Sequence, residues 1–138
     1  MPFYRMLALG LLTALLTGCS SQLFRDLGLD KTSRKAEQTL SAGIQQYEDG
    51  DLKTAQKTIQ DAVNLGLTFD ADKVNAYKHL AFIYCASNQE KLCRDEFRRA
   101  FDVDPGFKLQ ATEIGHPLWG PVYKSVRAEL IARGKVKP

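Results

Sequence analysis

This chain lacks the usual marks of catalysis. Its 138 residues hold no His-Glu-x-x-His pair, no Gly-x-Ser-x-Gly elbow, no glycine-rich phosphate loop and no paired-carboxylate signature. Histidines number only two. His79 falls in a helical pattern and reads as a packing or surface residue. His116 precedes a proline and reads as a structural hydrogen-bonder. The expectation is a non-enzymatic protein with no cofactor, no metal and no small-molecule substrate. Strand signals are missing too: no alternating β-branched runs and no Asn-Gly hairpin turns, which points to an all-α fold. The formal charge is only +3, which is not a nucleic-acid footprint. With three cysteines the chain is no disulfide-dense scaffold. No apolar run reaches the roughly 20 residues that a membrane-spanning helix needs.

The longest uncharged apolar run, Met6 to Leu16, lies near the N-terminus, behind Arg5. Small residues follow, then Cys19. This is the three-part pattern of an export signal rather than a fold element. Leu16-Thr17-Gly18-Cys19 resembles the bacterial lipobox, which implies removal of residues 1–18 and lipidation of the Cys19 sulfur. Two or three acyl chains, each buried methylene contributing about 0.8 kcal/mol, hold such a protein at a membrane. Ser20, where an Asp would imply inner-membrane retention, points to the outer membrane, with the periplasmic face as the default. The remaining 120 residues suffice for one domain. We expect a lipidated tether at 19–31 and a helical domain at 32–138. The basic C-terminal stretch (Lys124, Arg127, Arg133, Lys135, Lys137) reads as a solvated helix face and frayed end, with contact to anionic headgroups as the alternative.

Helical periodicity predicts four segments from Thr32 onward. The first runs from Thr32 to Asp49 and stops at Gly50. The second runs from Leu52 to Leu65, with Ala55, Ile59, Ala62 and Val63 on one face and Gly66 as its stop. The third opens after Asp70 or Asp72, either able to cap it, and carries Val74, Tyr77, Leu80, Ala81, Ile83 and Tyr84. The fourth spans 89–103, turns Leu92, Phe97, Ala100 and Phe101 inward, and ends before Pro105. The stretch GFKLQATEIGH reads as a loop. A fifth helix, 117–133, starts at Pro117 or Pro121, ends at Gly134, and shows the stripe Val122, Tyr123, Val126, Leu130 and Ile131.

Short paired helices invite a repeat search. In a 34-residue frame begun at Val74, Tyr77, Leu80, Ala81, Tyr84, Cys93, Phe97, Ala100 and Pro105 resemble the tetratricopeptide pattern. A frame begun at Ala36 matches at Gly43, Gly50-Asp51, Ala55, Ile59 and Ala62. It departs at Thr39, Ala42 and Gln46, where large residues are wanted. The fold expected is all-α, two tetratricopeptide-like hairpins plus a C-terminal capping helix. Trp119 and the fifth helix are the expected lid on the second hairpin. Cys85 and Cys93 flank that hairpin's turn. With Cys19 lipidated, an even pair in an oxidising compartment is expected to form a disulfide. Two separate buried thiols and a metal site are the alternatives. Such hairpins bind partners on the face of their first helices. Here that face carries Glu37, Leu40, Ile44 and Tyr47, then Asn75, Lys78, Phe82 and Cys85. Ile44, Tyr47 and Phe82 form the expected apolar strip, with Lys78 beside it, for a helix or extended peptide of a partner. The alternative is that the C-terminal segment fills this groove itself. Trp119, braced by the glycines and prolines of GHPLWGPVY, reads as a buried anchor or a contact residue.

The lipobox, the Gly-Asp turn, the segment KHLAFIYC-x₇-CRDEFRRAFDVDPGFKL and then GHPLWGPVY together resemble the TssQ family of type VI secretion-associated lipoproteins. The likeness covers nearly all of the chain after the signal and is most specific at 78–123. It implies an accessory adaptor at the outer membrane with a protein of an envelope secretion machine as partner. Pilotin-like lipoproteins of pilus or secretin assembly share the lipobox and the repeat. An activator of a cell-wall enzyme is the third reading.

Overall fold

Ala55, Ile59 and Ala62 recur at helical spacing, and all three are fully buried along one face of a helix. The same logic shapes the rest of the chain. The computed structural model describes residues 29–138. They form α1 (Leu29–Glu48), α2 (Leu52–Leu65), α3 (Asp70–Ala86), α4 (Glu90–Val103), α5 (Ala111–Ile114) and α6 (Gly120–Ala132), with no strand among them. The fold is all-α. The signal segment 1–18, Cys19 and most of the 19–31 tether lie outside the described residues. Contacts divide the chain into 1–31 and 32–138. None of the described helices is long and apolar enough to cross a membrane.

Both hairpins turn by the same device. At the end of α1, Gly50 takes φ +84, its N–H donates to the Tyr47 carbonyl and the Asp51 N–H to that of Gln46. At the end of α3, Asn88 takes φ 59, its N–H donates to the Cys85 carbonyl and the Gln89 N–H to that of Tyr84. This is the Schellman arrangement, a left-handed residue closing two orphan carbonyls. Asp51 then caps α2 by accepting from the Thr54 N–H at 3.1 Å. Gln89 opens α4 without a side-chain cap.

Within the first hairpin the helices approach closely at Gly43. A Cβ there would stand 2.6 Å from Ile59 Cγ1 and 3.0 Å from its backbone nitrogen. The central helix is α3. It buries Ala76, His79, Leu80, Ala81, Phe82, Ile83 and Tyr84, residues from nearly its whole circumference. It packs between α2 and α4. The second hairpin is closed by α6, which lays Tyr123, Val126 and Leu130 against α4. Tyr123 stacks on Phe101, meets Phe97 and Phe107 edge-on, and donates its hydroxyl to the Phe107 carbonyl at 3.1 Å. At the rim, Glu129 accepts from Arg94, Arg98 and Arg133, tying α4 to α6. A third Schellman turn at Gly134 returns the chain, so that Val136 is buried.

Four expectations need correction. Asp70 and Asp72 do not cap α3. The N-cap is Phe69, and both acids lie inside the first turn, where the helix dipole favours them. Leu92 is 38% exposed, because its neighbour Cys93 takes the fully buried position. The stretch read as a loop contains α5, closed by a reciprocal cap between Gln110 and Glu113. The last helix opens at Gly120, with Pro121 in its first turn and Pro117 outside it.

Candidate functional site

Cys85 and Cys93 pair with each other. Their Cα atoms are 5.2 Å apart and the sulfurs are at bonding distance. The tight turn through Asn88 brings the last turn of α3 beside the first turn of α4, so the cross-link pins that corner. The two alternatives, separate thiols and a metal site, fall away.

The first-helix face is built by α1 and α3, and its two halves differ. Over α3 the chain covers itself. Phe82 is 2% exposed, and Trp119 lies stacked on it with ring centroids 4.3 Å apart. The indole Nε1–H donates to the Glu113 carbonyl at 2.9 Å. His116 stacks flat on the outer face of the indole and accepts the Leu118 N–H on Nδ1. Lys78 is held by the Glu113 carboxylate at 2.7 Å, and its ammonium lies 5.7 Å from the Phe82 ring centroid. Phe82, expected to meet a partner, is covered by the C-terminal segment, the alternative filling of the groove, and of the two readings of Trp119 the packing is that of the anchor. Leu40, also expected in the groove, is only 3% exposed.

Electrostatics follow from this packing. Burial pushes the Glu113 carboxyl up. The Lys78 ammonium and the Gln110 N–H outweigh it and hold the group below the usual carboxylate range. Burial pulls His79 down, although its Nδ1–H donates to the Asn75 carbonyl at 2.8 Å. Its ring meets Tyr47 and Phe82 edge-on, a packing role.

Over α1 the face stays open. Ile44, Ser41 and Glu48 line a cleft of about 350 Å³ whose far wall is Asp72 and Asn75 of α3. Asp72 and Asn75 also line a second hollow of about 640 Å³, which reaches Val74, Lys78 and Phe107. The two hollows share only Asp72 and Asn75, and the cleft between α1 and α3 is the open trough. Carboxylates of Glu37, Glu48 and Asp72 line it. Ile44, Tyr47 and Asn75 are half-buried at or beside it. Glu48, Asp72 and Glu113 are site residues that sequence reasoning missed. The Gln110-x-x-Glu113 spacing of a capping box was the available signal for α5 and hence for Glu113.

Compared with protein-family models, curated proteins and solved structures, the chain matches none.

Proposed function

We propose that this protein is an outer-membrane-anchored periplasmic adaptor lipoprotein, accessory to a type VI secretion system, that holds a partner protein on a tetratricopeptide-like helical surface. The observation that carries this reading is the open trough between α1 and α3, with the half-buried Ile44 and the acidic Glu48 on one wall and Asp72 and the amide of Asn75 on the other. A segment with apolar side chains flanked by lysine or arginine suits it, and the Asn75 amide offers both a donor and an acceptor to an extended backbone. The Cys85–Cys93 pair accords with an oxidising compartment. The lipobox at Cys19 and the stretch 78–123 supply the envelope and the secretion machine.

The test is a crosslinking pull-down of the acylated protein from envelopes, with wild type beside Ile44→Glu and Glu48→Lys. A secretion-complex subunit captured by wild type and lost from both folded variants supports the reading. Equal capture by all three sinks it. Capture of pilus or secretin subunits would move the protein to the pilotin-like class.

A further inference from the structure

A further concavity lies between the 108–114 segment and the face of α6. It measures about 310 Å³, within the size range of small-ligand sites. Leu109, Ile114, Tyr123 and Ile131 form its lining, with Leu109 and Tyr123 buried beneath it. Three cations, Lys108, Lys124 and Arg127, stand around this apolar surface, and no carboxylate lines it.

These cations differ from the others that pack against the fold. Lys78 is neutralised by Glu113, and Arg94, Arg98 and Arg133 share Glu129. Lys108 and Lys124 have no ion pair among the described residues. Arg127 gives one N–H to the Lys137 carbonyl, which leaves its charge uncompensated. Three unneutralised cations converging on an apolar hollow are complementary to a ligand with an apolar body and an anionic end.

We propose that this cleft binds an anionic amphiphile, its hydrocarbon chain against Leu109, Ile114 and Ile131 and its carboxylate or phosphate held by Lys108, Lys124 and Arg127. Its lining shares only Lys108 with the 640 Å³ hollow and no residue with the cleft between α1 and α3. The carboxylate of a free fatty acid and the phosphate of a membrane lipid share this chemistry.

The full chain is titrated calorimetrically with octanoate, decanoate and octyl phosphate below their micellar concentrations, beside decanol and decyltrimethylammonium. The expected result is saturable one-to-one binding of the anions, with affinity rising about fourfold per added methylene. The Lys108→Gln/Lys124→Gln variant, altered only at exposed side chains, should bind at least tenfold more weakly with unchanged circular dichroism. Ile131→Asp should bind none of the three anions. Vesicles with and without phosphatidylglycerol separate the sources: displacement of decanoate by the anionic vesicles only assigns the site to membrane lipid, and its persistence assigns it to free fatty acid. Absence of saturable binding, equal binding of decanol or the cationic amphiphile, or unchanged affinity in the double variant would overturn the proposal. So would binding of an acidic apolar peptide in place of the fatty acid.

Discussion

Gly43 and Glu96 show opposite ways in which one residue constrains this fold. Gly43 lets α1 and α2 meet, and a methyl group there would press on both the side chain and the backbone of Ile59. We expect Gly43→Ala to destabilise by about 1–2 kcal/mol, since overpacking costs roughly 1–3 and the better helix propensity of alanine returns up to about 1. Urea unfolding measures the outcome. Glu96 is 5% exposed, with Oε1 at 3.3 Å from the Arg99 guanidinium and Oε2 buried without a partner. Burial pushes its carboxyl up, Arg99 opposes this and Asp95 adds to it. A raised folded value means that the native chain binds the proton more tightly than the unfolded one. The stability Glu96 contributes is therefore present below its unfolded value and lost as pH rises through its folded value. Against Glu96→Gln, the wild type should lose ground as pH rises across that window. A constant difference in urea midpoints from pH 4 to 8 would refute this.

At the level of elements, the second hairpin is held by a covalent corner and a charged rim. A ring closed over eight residues of separation adds about 2–3 kcal/mol on the loop-entropy scale. Cys85→Ser/Cys93→Ser should lose that amount, and a reductant should lower the wild type to the variant's midpoint while leaving the variant unmoved. Glu129 works in the opposite sense to Glu96. The Arg98 hydrogen bond leads in holding its carboxyl below the ordinary range. The link between α4 and α6 is thus intact above the unfolded value and weakens as pH falls through the folded one. Elements were also the most legible scale in the sequence. The bounds expected for α2 are those found, because Gly50-Asp51 and Gly66 punctuate it on both sides. α5 escaped notice because four residues carry too little periodicity to register. The start of α3 differs from expectation because both aspartates lie inside its first turn and the N-cap, Phe69, has no side-chain cap bond.

Across the whole molecule, the decisive event is the return of the C-terminal segment over the first-helix face. The sequence points to Trp119 and the last helix as a lid, but local pattern does not fix the pairings, since Lys78 and Glu113 stand 35 residues apart and Phe82 and Trp119 meet only in the folded chain. The sequence shows both aromatics, but not which neighbour each would find. Removal of residues 116–138 should uncover Phe82, Phe97 and Phe101 together. We expect a chain that keeps helical circular dichroism, binds a hydrophobic dye and melts without a cooperative transition. A sharp transition would show that α6 is dispensable. Trp119→Ala, a milder lesion, should cost about 3 kcal/mol, the low end for deletion of a large aromatic. Since Trp119 is the sole tryptophan, the stacked pair is also an optical gauge built into the protein. All indole emission comes from the point where the C-terminal segment rests on α3. A partner that occupies only the open half of the first-helix face leaves that light unchanged. One that levers the segment off Phe82 brightens or shifts it, so the two modes of engagement differ in colour before any complex is isolated.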